Sequence, residues 1–102
     1  MEKTLEREGM DILTALDNAR VPYQYANISP TEGQVTVRRY IPRGDKGRIE
    51  SRGWLKSIRE LLSMQNVLVT LAEDDRPRFQ RRNAEPEAKV VIALRPRKEA
   101  AR

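Results

Sequence analysis

Residues 34–41 read Gln34-Val35-Thr36-Val37-Arg38-Arg39-Tyr40-Ile41. Val35 and Val37 alternate with Thr36 and Arg38, the period-two signature of a strand with one face buried. Ile41 continues the apolar face and Tyr40 the polar one. Arg39 falls among the inward positions, so either the register breaks there or its head reaches water past an apolar stem. Just upstream, Tyr23–Ile28 alternates as Tyr-Gln-Tyr, and Ser29-Pro30-Thr31-Glu32-Gly33 is a dense turn signal. Strand, turn and strand together predict a hairpin.

On the N-terminal side of this hairpin, Leu5, Gly9, Ile12, Leu13, Leu16 and Ala19 recur on one helical face, with Glu6, Asp11, Asp17 and Arg20 largely opposite. Gly9 weakens the first turns, which puts the firm start of this helix near Met10, and Pro22 ends it. On the C-terminal side, Pro42–Arg48 reads as a loop. A second helix is expected from about Ile49 to Met64, with Ser51 as N-cap and an apolar stripe of Trp54, Leu55, Ile58, Leu61 and Leu62. Val67–Ala72 is apolar on both faces, which suits a central strand covered on both sides or a strand at a subunit contact. Lys89–Arg95 repeats the pattern, and Pro96 closes it.

The order α-β-β-α-β-β predicts one α+β domain over residues 1–96, with 97–102 as a basic tail. The simplest architecture is two-layered: a four-stranded, mostly antiparallel sheet with two helices on one face. An uncovered sheet face or a free edge strand makes a homodimer the natural expectation. A length of 102 residues suits one core, because folding at this size buries only about two-thirds of the extended chain's surface.

The chain has no cysteine and no histidine. It therefore lacks a thiolate nucleophile, a disulfide framework, the commonest general base near neutral pH and the commonest transition-metal ligands. No phosphate-cradling glycine loop, dinucleotide fingerprint or nucleophile elbow is present. Glu73-Asp74-Asp75 reads as an acidic turn and not as a metal site, since adjacent carboxylates seldom converge on one ion. No catalysis, cofactor or metal is expected. The charged N-terminus and the shortness of the apolar runs set the expectation of a cytoplasmic protein that does not enter a membrane.

Charge points to binding. The net charge is +5, with charged residues making up 34% of the chain, and it is unevenly spread. Residues 1–37 sum to −3, residues 38–59 to +6 and residues 88–102 to +4. Such polarity suits a polyanionic partner. Arg38, Tyr40, Arg43, Lys46, Arg48 and Arg52 lie on the strand end, loop and helix start of the most basic stretch, where amides at a helix N-terminus and arginine forks would meet phosphate. The competing reading is a surface whose charges merely keep it solvated.

A second candidate is the 15-residue loop Glu73–Glu87, whose middle carries Arg76, Arg78, Phe79, Arg81 and Arg82. Cations around one aromatic suit an arm that enters a groove or stacks on a base. The acidic ends bring this loop to −1, which suits pairing with itself or with a protein equally well. Trp54, on the apolar stripe, is core before it is a stacking platform.

The leading expectation is a non-enzymatic nucleic-acid-binding domain, for DNA or RNA, that grips the phosphate backbone. The alternative is a protein-interaction module (regulator, inhibitor or assembly subunit) that docks on an acidic protein surface or another partner through a sheet edge and loop 73–87.

Overall fold

Alternating β-branched and polar residues build four strands, and two amphipathic stretches cover them. The computed structural model describes residues 2–65, 67–72 and 86–94. The elements are α1 (Glu2–Asn18), β1 (Tyr25–Ser29), β2 (Gln34–Tyr40), α2 (Asp45–Leu61), β3 (Leu68–Ala72) and β4 (Glu87–Ala93). The sheet order is β1-β2-β4-β3, and every neighbouring pair is antiparallel. The expected α-β-β-α-β-β order and α+β class hold, and the sheet is antiparallel throughout.

Both helices sit on one face. Residues paired across an antiparallel ladder point to the same side, so Val35, Val37, Val90, Ile92 and Val69 share a face, and all five are buried. They form a single core with Leu5, Ile12 and Leu16 of α1 and with Trp54, Ile58 and Leu62 beside them. The opposite face of the sheet carries no helix among the described residues.

Several boundaries differ from the sequence expectation, each for a local reason. The first helix runs through Gly9 from Glu2, and the bare Gly9 backbone packs directly against the sheet. A Cβ there would lie 2.8 Å from Ile28 Cγ2 and 3.1 Å from Val35 Cγ2. It ends at Asn18, ahead of Pro22, in paired bonds from Arg20 N–H to Asp17 O (3.0 Å) and from Val21 N–H to Leu16 O (2.9 Å), with Arg20 left-handed at φ 62°. This is the Schellman arrangement, with arginine where glycine is usual.

Helix α2 begins at Asp45, well before the expected Ile49 or a Ser51 cap. Gly44 is its N-cap, and Ser51 is buried within it. Gly47 makes this start feasible, because a Cβ at that position would collide with the Pro42 carbonyl oxygen. The helix ends at Leu61, and turns follow through Gln65, short of the expected Met64. Strand β1 starts two residues late. Tyr23 stands outside it, its hydroxyl donating to Asp17 Oδ1 at 2.8 Å. Strand β4 begins at Glu87, the last residue of the expected loop, and Glu87 pairs with Tyr40. Of the two readings of Val67–Ala72, a central strand or a strand at a subunit contact, the first is overturned: β3 is an edge, and β4 is the central strand beside it. Leu68 and Leu71 are exposed accordingly.

Candidate nucleic-acid interface

Strand β2 distributes its side chains to two environments. Val35, Val37 and Arg39 point toward the helices, while Gln34, Thr36, Arg38 and Tyr40 stand on the open face. Cross-strand pairing adds Tyr25, Asn27 and Ser29 from β1 and Glu87, Lys89 and Val91 from β4 to that open face. Tyr25 is 54% exposed and Tyr40 38%. Their rings meet edge to face at 6.2 Å, and their hydroxyls lie 3.2 Å apart. The backbone N–H of Tyr40 donates to Gln24 Oε1 at 2.7 Å, which fixes the strand end on which its ring stands. Arg38 forms an ion pair with Glu87 at 3.5 Å. A shallow hollow of about 330 Å³ opens between Tyr25, Asn27, Gln34, Thr36, Arg38 and Lys89.

The chain then turns from Tyr40 into a second concavity. Ile41, Pro42, Leu71 and Pro86 give a hollow of about 400 Å³ an apolar lining, and Arg43, Arg48 and Arg52 line it as well. Arg48 and Arg52 are four residues apart on α2 and so share a helical face. Arg48 is ion-paired to Asp45 in the exposed first turn of the helix. Gly44 lines the same hollow as the N-cap of α2, and no side chain caps the helix there. Gly47 N–H bonds back to Gly44 O at 3.1 Å, which leaves the amides of Asp45 and Lys46 to solvent or to a ligand.

The structure thus sorts the candidate residues into groups. Arg43, Arg48 and Arg52 come together around one hollow. Arg38 and Tyr40 lie on the sheet face. Lys46 is exposed on α2 outside both linings. Arg76, Arg78, Phe79, Arg81 and Arg82, with Glu73-Asp74-Asp75, lie outside the described residues. Tyr25 and Lys89 belong to the open face and were missed as candidates. The alternation Tyr25, Asn27, Ser29 was the signal that could have found the first.

Trp54 is core: it is 4% exposed, and its Nε1 donates to Pro22 O at 2.8 Å. Arg39 passes beside it. The guanidinium carbon lies 5.8 Å from the Trp54 ring centre, and Nη2 reaches Glu50 at 3.7 Å, while Nε is buried without a hydrogen-bond partner. This resolves the inward arginine: the strand register is kept and the head escapes between the helices. It ends in a cleft of about 620 Å³ shared with Arg20, Val21, Glu50 and Leu61.

Burial, followed by the bond to Asp17 and the negative charge of that carboxylate, raises the Tyr23 phenol above its ordinary value. Among the described residues no three carboxylates gather in a way that could hold a metal ion, and no helix is long and apolar enough to cross a membrane. Comparison of the chain with protein families, with characterised proteins and with solved structures finds no match to any of them.

Proposed function

We propose that this protein binds nucleic acid without catalysing a reaction, holding the phosphate backbone at the hollow where β2 gives way to α2. The observation that carries the reading is the convergence of Arg43, Arg48 and Arg52 on one concavity beside an uncapped helix start. Guanidinium forks match phosphate oxygens two at a time, and the helix dipole favours an anion at the same spot. Asp45 is the one acid of the helix's first turn and is occupied by Arg48, so an incoming phosphate exchanges one anionic partner for another. Tyr25 and Tyr40, exposed on the adjoining sheet face, supply aromatic surface for unpaired bases.

The test is a titration of labelled single-stranded DNA, duplex DNA and structured RNA, read by fluorescence anisotropy. Between about 50 and 200 mM salt, phosphate-driven binding drops by orders of magnitude. The double variant Arg43→Glu with Arg48→Glu is expected to weaken every probe alike and to flatten the salt slope. Affinity that survives both charge reversals would put the interface elsewhere.

A specific observation favours a second reading, protein interaction through a sheet edge. β3 is short, lies at the edge and exposes Leu68 and Leu71.

A further inference from the structure

The backbone of β3 faces two ways. Ile41 N–H donates to Pro86 O at 3.0 Å and Leu94 N–H to Gly33 O at 2.8 Å, so the even-numbered residues of β4 and its flanks bond toward β2. In an antiparallel ladder the bonding side alternates. The odd residues Glu87, Lys89, Val91 and Ala93 therefore bond toward β3, where their partners include Leu68, Thr70 and Ala72. Val69 and Leu71 are left with N–H and C=O directed away from the sheet. An independent contact agrees: Arg59 Nε donates to Val69 O at 3.1 Å from outside the ladder.

We infer that this outer edge of β3 pairs with β3 of a second copy, antiparallel about a two-fold axis at Thr70, to give a continuous sheet across two chains. In that register Val69 faces Leu71 of the second copy. These are the two residues of the strand whose backbone groups point outward, so each pair exchanges both of its hydrogen bonds. One residue of slippage would leave them facing groups already spent on β4.

Side chains complement one another in the same register. Leu68, 60% exposed on the open face, lies opposite the small Ala72 of the second copy. Val69 and Leu71 extend the helix-side core, and the two Thr70 side chains meet on the axis. Electrostatics favour a copy of this chain here. Residues 67–72 hold no charge in a protein where 34% of residues are charged and the net charge is +5, so the two paired strands set no like charges against each other, and the cation at this edge is Arg59, at the Val69 carbonyl. The edge also lacks the lysine, proline or bulge that usually blunts an open strand. Arg59 is its one guard among the described residues, and it occupies a single carbonyl. The inference rests on the backbone of β3 and stands apart from the nucleic-acid reading.

Sedimentation velocity on the full chain, from micromolar to submillimolar concentration in nucleic-acid-free buffer, tests it. Wild type is expected to pass from monomer to dimer. Leu68→Lys places a charge on an exposed side chain without touching the fold. Leu71→Pro removes an outward N–H while leaving the β4 ladder whole. Each is expected to raise the dissociation constant at least about tenfold. Arg59→Ala uncovers Val69 O and is expected to lower it. Amide exchange at Val69 and Leu71 should slow as the dimer forms. A protein that stays monomeric throughout, or a dimer indifferent to both Leu68→Lys and Leu71→Pro, overturns the inference.

Discussion

Arg39 and Trp54 are stacked with guanidinium carbon and ring centre 5.8 Å apart, on the side of the sheet where a charge is least expected. The arginine stem packs in the helix layer while Glu50 and solvent offset the positive charge of the head. Its Nε is buried without a partner, which offsets part of what the stacking contributes. Arg39→Met, which keeps the stem and removes that nitrogen, is expected to change stability by less than about 1 kcal/mol. Arg39→Ala, which leaves Trp54 uncovered, should cost about 1–2 kcal/mol. Urea denaturation of the two variants decides it: equal losses would mean that the charged head, and not the stem, holds the site together.

Gly9 and Gly53 both lie inside helices, where glycine is normally about 1 kcal/mol worse than alanine. Nothing lies within 4 Å of a Cβ built on Gly53, whereas one on Gly9 meets Ile28 and Val35. Ile28 is β-branched and stiff, so the helix or β1 would have to move. Gly53→Ala is expected to stabilise by up to about 1 kcal/mol, and Gly9→Ala to destabilise by about 1 kcal/mol or more. Thermal melts of the pair give the signs. A stabilising Gly9→Ala would show that α1 does not rest on the sheet at this point.

Tyr23 predicts an alkaline limit. Its phenol titrates above its ordinary value in the folded protein, so folding favours the protonated form. That contribution is fully present below the unfolded phenol's value, about 10, and is lost as pH rises through the higher folded value. The stability difference between wild type and Tyr23→Phe should therefore be constant near neutrality and shrink in strong alkali. A difference that does not vary with pH would mean that neither burial nor Asp17 raises the phenol.

Tyr25 and Tyr40 separate single strands from duplexes. Stacking on an aromatic ring contributes about 1–3 kcal/mol per base and requires the base to be unpaired. The double substitution Tyr25→Ala with Tyr40→Ala is expected to weaken binding of an unstructured strand about tenfold or more, with duplex affinity unchanged. Loss on both probes would mean that the tyrosines support the sheet and do not meet bases.

Six elements and their order were legible because periodicity is a property of neighbouring residues: Val35 and Val37, or Ile58 and Leu62, declare their faces without help from the rest of the chain. What depends on distant contacts was not. Gly44 and Gly47 fall in the stretch that reads as a loop, yet Gly47 serves to bring α2 against the Pro42 carbonyl. Val67–Ala72 is apolar on both faces, a pattern that fits an edge opening onto solvent as well as a central strand, since alternation says nothing about how many neighbours a strand has. The basic run of residues 38–59 was visible as charge. Its division between a sheet face bearing Arg38 and a hollow bearing Arg43, Arg48 and Arg52 follows from the strand turning a corner at Pro42, and no spacing rule encodes that corner.

The sheet order β1-β2-β4-β3 also sets the order in which the chain can assemble. Ser29 and Gln34 close their hairpin across a short turn, whereas Gln34 and Ala93, or Tyr40 and Glu87, must find each other 59 and 47 residues apart. The central seam between β2 and β4 is thus the entropically expensive closure. It joins two halves, each a helix with two strands, and the shared core draws on both. Closing that seam is what brings the apolar faces of the two halves into one core.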